Sequence, residues 1–224
     1  MKTLAFDVYG TLIDTAGVVG LLRESIGDDA EAFSSRWRAK QLEYSFRYGL
    51  MEQYRDFRVC TRQALEHCCE AMSAPLDASA RERLMARYLA LPAFDDVRPG
   101  LERLARADAQ MFAFSNGPAA DVAQLLRHAG IDAYFDGVVS ADEVKTFKPS
   151  PAVYRHFLRR AEVRAPDAWL VSSNPFDVCG ARAVGMRAVW VRRDPAAVFD
   201  PWAFAPDREA VSFADLGDWF AAAQ

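Results

Sequence analysis

Four short polar clusters in the 224-residue chain could do chemistry together. The first is Asp7-Val8-Tyr9-Gly10-Thr11-Leu12, which holds a carboxylate and a nearby hydroxyl. The second is Ser115-Asn116-Gly117, the third Lys148-Pro149, and the fourth Ser172-Ser173-Asn174-Pro175-Phe176-Asp177. Singly, each has an ordinary structural explanation: Asp after a strand caps a helix, Ser-Asn-Gly makes a turn, and Lys before Pro is a solvated charge. Together, in this order, they are much harder to explain as caps and turns, since they offer carboxylates, a lysine, and hydroxyl and amide donors from which a covalent nucleophile and its support could be drawn. A unit charge about 4 Å away at an effective dielectric near ~20 is worth about 4 kcal/mol, enough to keep such a carboxylate ionised in a dry pocket. No G-x-S-x-G elbow occurs, which argues against a serine nucleophile.

Strand ends are what must position these residues. Residues 2–8 are a short apolar run that breaks at Tyr9-Gly10, which predicts a buried strand ending near Asp7. Further apolar runs lie at 111–114, 137–140, 168–171 and 187–191. Helical patterns separate them: one with Pro118 in its first turn and Gly130 at its end, one over 151–161, and one over 176–184 with Gly185 just past it. Such alternation predicts a parallel sheet covered on both faces, with ligands beyond the carboxyl ends of its strands. All four clusters fall at those ends. Residues 16–92 differ, because nothing there reads as a strand. Phe33, Trp37, Tyr44 and Tyr48, then Cys60, Ala64, Cys68 and Met72, recur at helical spacing. The expected organisation is an α/β core of 1–15 and 93–224 with a helical insertion of 16–92 after the first strand.

Composition narrows the partners. A net charge of −4 argues against nucleic acid or an anionic membrane, since either needs a basic face. Cys60, Cys68, Cys69 and Cys179 fall in no metal or C-x-x-C spacing and read as small core residues of a reducing compartment. His67, His128 and His156 lie far apart on separate predicted helices and read as structural. No run approaches membrane length, and Asp7 interrupts the only apolar N-terminal stretch, so a cytoplasmic protein is expected.

In order and spacing the clusters resemble the haloacid dehalogenase superfamily, whose mark is a nucleophilic Asp in a D-x-x-G-T-L/V loop. Five stretches narrow the resemblance to the L-2-haloacid dehalogenases: Phe6-Asp7-Val8-Tyr9-Gly10-Thr11-Leu12, Trp37-Arg38-Ala39-Lys40-Gln41-Leu42-Glu43-Tyr44, Phe114-Ser115-Asn116-Gly117, Phe147-Lys148-Pro149 and Val171-Ser172-Ser173-Asn174. The resemblance covers nearly the whole chain. It implies a Rossmann-like parallel-sheet core with 16–92 as a helical cap, a homodimer, no cofactor, no metal, and a small 2-haloacid and halide ion as ligands. It also implies residue roles. Asp7 is the nucleophile, Lys148 sits beside it and Thr11 orients it. Ser115, with backbone N–H groups around Val8 and Tyr9, binds the substrate carboxylate. Arg38, Asn116 and Phe176 cradle the departing halide. Asp177 and Asn174 orient or activate the hydrolytic water, while Ser172 and Tyr154 support Lys148 and Asp177. Tyr9, Leu42 and Phe57 wall the substrate's alkyl group. Arg38 on its own would read as a solvated helix charge; only the stretch around it makes it a site residue.

Most of that superfamily are phosphatases, and two residues argue against phosphate here. A phosphatase of this kind needs an Asp two residues after the nucleophile to protonate the leaving alkoxide. Tyr9 stands there, and a phenol with a pKa of about 10 is a poor acid for that task. Such phosphatases also place an acidic residue four positions before the one matching Asp177, for Mg²⁺; Ser173 stands there instead. A halide is a weak base that leaves without a proton. The implied reaction is therefore attack by Asp7 on the halogen-bearing carbon, then hydrolysis of the resulting ester, converting an L-2-haloacid to a D-2-hydroxy acid. The rival readings are a Mg²⁺-dependent phosphatase or phosphonatase of the same superfamily, and a non-catalytic binding module on the same fold. Ala39 replaces a longer polar side chain common in relatives, and Pro175-Phe176 a commoner Ala-Trp pair. Both bear on halide and chain-length preference.

Overall fold

In the computed structural model, which describes residues 2–107 and 109–222, the apolar runs become strands. These are β1 (Lys2–Asp7), β2 (Ala109–Ser115), β3 (Gly137–Ser140), β4 (Ala168–Ser172) and β5 (Arg187–Val191). With β6 (Arg208–Ala210) they form one sheet in the order β3-β2-β1-β4-β5-β6, every neighbouring pair parallel. Parallel strands buried on both faces read as continuous apolar runs because successive side chains serve opposite cores. Leu4 and Phe6 enter one core and Ala5 the other; Trp169 and Val171 are likewise split from Ala168 and Leu170.

The connections are helical. On one face lie α5 (Val97–Ala105), α6 (Ala119–His128) and α9 (Phe213–Ala222); on the other lie α7 (Pro151–Arg160) and α8 (Pro175–Ala183). Phe213 stacks on Phe6 with centroids 5.9 Å apart, which backs the strand immediately before Asp7. The chain runs outward from β1 through β2 to β3, then returns to β4 on the other side of β1. That reversal puts a crevice at the carboxyl ends of β1 and β4. Asp7, Ser115, Ser140 and Ser172 are the last residues of their strands.

Between β1 and α5 the described chain is helical: α1 (Val19–Ile26), α2 (Ala30–Leu50), α3 (Phe57–Ala71) and α4 (Ala78–Tyr88), with two short 3₁₀ turns. Aspartates set two of the starts, Asp56 accepting from the Val59 N–H at 2.9 Å and Asp77 from the Ala80 N–H at 2.7 Å. The apolar periodicity is spent inward, since Phe33, Trp37, Cys60, Ala64, Cys68, Leu84 and Tyr88 are buried together. Asp14 N–H donates to Pro92 O and Phe94 N–H to Leu12 O, at 2.9 and 3.1 Å. The helical segment thus leaves and rejoins the sheet domain at one point.

Three expectations need correction. The sheet has a sixth strand, β6, which runs over Arg-Glu-Ala with only Ala210 buried, too short to carry a period. Helix α9 follows it, where no helix was expected. Pro118 is the N-cap of α6 rather than part of its first turn, and Pro175 instead opens α8.

Two glycines set close geometry. Gly10 has φ +83°, in the turn directly after Asp7, where a side chain would be strained. Gly180 lets α8 approach α7, because a Cβ there would stand 2.4 Å from the buried Tyr154 hydroxyl. Gly180→Ala is expected to cost about 1–3 kcal/mol, read as a drop of several degrees in Tm by calorimetry.

Candidate active site

Asp7 is the hub of the site. The Thr11 hydroxyl, the Ser172 hydroxyl and the Asn174 side-chain amide donate to its Oδ2 at 2.8, 3.1 and 2.7 Å. Among the described residues, Oδ1 receives only Lys148 Nζ, at 3.2 Å. The carboxylate therefore has one oxygen held by three neutral donors and one left beside a cation. Thr11 reaches Asp7 because the loop turns at once, the Val8 carbonyl accepting from the Thr11, Leu12 and Ile13 N–H groups.

Lys148 is 1% exposed, and its ammonium group has three partners: Asp7 Oδ1, Phe114 O at 2.9 Å and Asp177 Oδ2 at 2.8 Å. An ammonium group has three N–H donors, so all are committed. The ammonium also lies over the Phe114 ring, 4.1 Å from its centroid. Its backbone N–H donates to Asn116 Oδ1 at 2.8 Å, which ties the Lys148 loop to the end of β2. Asp177, fully buried in the first turn of α8, accepts from the Tyr154 hydroxyl through Oδ1 at 2.7 Å. Burial pushes the Asp177 carboxyl above the usual range, against the pull of Lys148 and Tyr154. Burial likewise drives the Tyr9 phenol far above its ordinary value, which makes it a still weaker acid.

The helical segment closes over these residues. Arg38 on α2 donates from Nη2 to the Tyr9 carbonyl at 3.2 Å, the same oxygen that accepts from Asn174 Nδ2 at 3.3 Å. Arg38 and Asn174 therefore meet at the loop after β1. Phe176 packs edge-on against Phe46 of α2, centroids 5.1 Å apart. The Tyr9 ring lies 6.0 Å from that of Phe57 and 5.9 Å from that of Tyr88. Leu42 is half-buried on α2, one turn after Arg38 and on the same side. Val8 is buried, and Ser115 is buried with its Oγ accepting from the Gly117 N–H at 3.1 Å. Two polar contacts span the same seam: Arg58 binds both oxygens of Asp121, and Tyr54 donates to Asp142 at 2.6 Å.

With this geometry in view, likeness to known proteins is informative. The family model for haloacid dehalogenase-like hydrolases matches residues 1–185. An (S)-2-haloacid dehalogenase of Pseudomonas sp. (strain YL) is 34% identical, over 98% of this chain and 94% of that protein. (S)-2-haloacid dehalogenase 2 of Pseudomonas sp. (strain CBS-3) is 37% identical, over 86% of this chain and 84% of that protein. The chain belongs to the L-2-haloacid dehalogenase family. Its fold matches the L-2-haloacid dehalogenase of Xanthobacter autotrophicus with chloropropionic acid covalently bound, at a TM-score of 0.90 and 29% identity over 97% of each chain.

Within this family member, one expected contact differs and another is added. Ser172 donates to Asp7 rather than to Lys148 or Asp177, because it ends β4, the strand beside β1. Asn174 also sits on Asp7, so its amide binds the carboxylate directly. Sequence reasoning passed over Ser173 as a merely absent acid. Its hydroxyl donates to Gly10 O at 2.7 Å and its N–H to Thr11 Oγ1 at 2.9 Å, which braces the Asp7 loop. Gln41, Thr61 and Tyr88 were missed too, since a buried polar network looks in sequence like ordinary helix surface. Among the described residues, no group of three or more His, Cys, Asp or Glu side chains could hold a metal ion.

Tyr154 lowers the Asp177 pKa by donating to its carboxylate. Tyr154→Phe removes that donor, so the Asp177 pKa rises further. The acid limb of the pH–rate profile is expected to move to higher pH, with the alkaline limb unchanged.

Proposed function

We propose that this protein hydrolyses short L-2-haloalkanoic acids to D-2-hydroxy acids through an ester on Asp7, without a metal ion. The observation that carries the reading is the asymmetry of Asp7, three donors on Oδ2 and a lone ammonium on Oδ1. Oδ1, with fewer hydrogen bonds to break, is the nucleophile. It attacks the halogen-bearing carbon in line, the new Cα–Oδ1 bond forming as the carbon–halogen pair departs with the halide. Arg38, the Asn116 amide and the Phe176 ring edge receive the halide. Ser115 and the N–H groups of Val8 and Tyr9 hold the substrate carboxylate, with Tyr9, Leu42 and Phe57 around its alkyl group.

In the second step water attacks Cγ of Asp7, and negative charge develops on Oδ2. Thr11, Ser172 and Asn174 already point at that atom, so the donors need no rearrangement as the charge grows. Collapse breaks the Cγ–Oδ1 bond, and the hydroxy acid leaves with Oδ1 as its hydroxyl oxygen. Asp177 takes up one proton of the water; one proton ends on the product hydroxyl and the other is released. The sum is haloacid plus water giving hydroxy acid, halide and a proton.

The phosphatase alternative asks for an acid and a metal. Tyr9 is a weakened acid, and Lys148 occupies the space between the two carboxylates where a cation would bind. The reading extends to a cytoplasmic homodimer with a helical cap formed by 16–92. Free, buried cysteines support the compartment, and the exposed Leu50 and Met51 at the end of α2 support an apolar contact between caps.

A single turnover with excess enzyme in ¹⁸O-water is expected to place the label in the peptide containing Asp7 and leave the product unlabelled. Label in the product alone would mean direct attack by water and would overturn the mechanism. Halide release from L-2-chloropropionate should be unaffected by EDTA, whereas a phosphatase would lose aryl phosphate turnover. Asp7→Asn should reduce halide release by at least about a thousandfold.

A further inference from the structure

Gln41 is an unexpected residue to find on α2. It is completely buried, and Gln is seldom fully enclosed without a partner for each polar atom. Its Oε1 accepts from Arg38 Nη1 at 2.6 Å and from the Tyr88 hydroxyl at 3.3 Å, and its Nε2 donates to Thr61 Oγ1 at 2.5 Å. The direction of this amide follows from proton bookkeeping. The Thr61 hydroxyl spends its one proton on Phe57 O at 2.8 Å, so toward Gln41 it can only accept. Gln41 must therefore turn its NH₂ to Thr61 and its carbonyl to Arg38. The Trp37 indole N–H, on Thr61 O at 2.8 Å, pins α2 to α3 at the same level.

Arg38 is thus held from two sides, by the Gln41 carbonyl in the helical segment and by the Tyr9 carbonyl in the Asp7 loop. Both acceptors are neutral. They fix the guanidinium without cancelling its charge, and its remaining N–H groups can face an anion. We propose that Gln41 is a positioning residue, which aims an uncompensated Arg38 at the departing halide and so sets how well the enzyme handles poor leaving groups. The inference rests on the reading of Arg38 as a halide acceptor. Chloride leaves less readily than bromide and carries more concentrated charge, so it depends more on a well-placed donor.

The test measures the first chemical step by single-turnover halide release from L-2-chloropropionate and L-2-bromopropionate. Gln41→Leu keeps the bulk but removes the acceptor, which frees Arg38. It should slow chloride release about 10- to 100-fold and bromide release only several-fold, while ester hydrolysis is unchanged. Gln41→Glu keeps an acceptor for Arg38 but offers it a carboxylate, and the Thr61 hydroxyl turns its proton from Phe57 O to the second carboxylate oxygen. It should leave the fold intact, weaken inhibition by added halide, and again widen the bromide-to-chloride ratio. Equal losses for both halides, an unchanged ratio, or a defect confined to ester hydrolysis would overturn the role of Gln41. If Gln41→Leu fails to fold by circular dichroism, the ratio and halide inhibition of Gln41→Glu decide. Wild-type enzyme on L-2-chloropropionate separates the two levels. No halide release there would overturn the dehalogenase reading and the role of Gln41 with it, whereas wild-type release with unaltered ratios in the variants would overturn Gln41 alone.

Discussion

The Lys148 ammonium group is buried with three acceptors, two of them carboxylates, and the rest of the site is arranged around that fact. Taking an isolated ion out of water costs several kcal/mol, and removing one partner of a buried pair typically costs about 3–5 kcal/mol. The arrangement is therefore tenable only if every charge keeps its partners. Asp177 is satisfied by Lys148 and Tyr154, and Asp7 by Lys148 and three neutral donors. Those partners come from β1, β2 and β4, the loops after β1 and β4, α7 and α8, so the middle of the sheet's carboxyl edge is committed to this one charge cluster.

This arrangement also divides the labour between the two oxygens of Asp7. Lys148, with each N–H committed, acts as a fixed positive charge rather than as a proton donor. The neutral donors gather on Oδ2, where charge develops in the second step of the proposed reaction. Oδ1, held by the single charged contact, is free to form a bond. In the proposed reaction one residue serves successively as nucleophile and electrophile, with the same donors around it.

The helical segment supplies what the sheet edge lacks. Lys148 is the cation of the sheet edge, and a second one reaches the site through Arg38, anchored on the neutral Tyr9 carbonyl with its charge uncancelled. The seam is sealed by aromatic contacts of Tyr9, Phe57 and Phe147, and by the Arg58–Asp121 and Tyr54–Asp142 pairs. Beneath these contacts Asp7 is 7% exposed, where charge interactions are strong.

The amino-acid sequence by itself determined the order of β1 to β5 and of the helices α6 to α8 between them, the helical nature of 16–92 and the identity of the polar clusters. Each of these is carried by local period, by turn residues or by short contiguous motifs. Asp7, Lys148 and Asp177 were legible because strand ends in a parallel sheet face one crevice, whatever lies between them in sequence. Only the tertiary structure decided which atom meets which. Ser172 turned to Asp7 because β4 lies beside β1, and Asn174 followed it. Ser173 became a brace for the Asp7 loop rather than a missing acid. Gln41 and Thr61 were invisible because a polar residue on an amphipathic helix reads as solvated until another helix covers it. Strand β6, three residues long with one buried, exists only because β5 offers it an edge. Contacts between residues far apart in the chain depend on packing, and no local period records them.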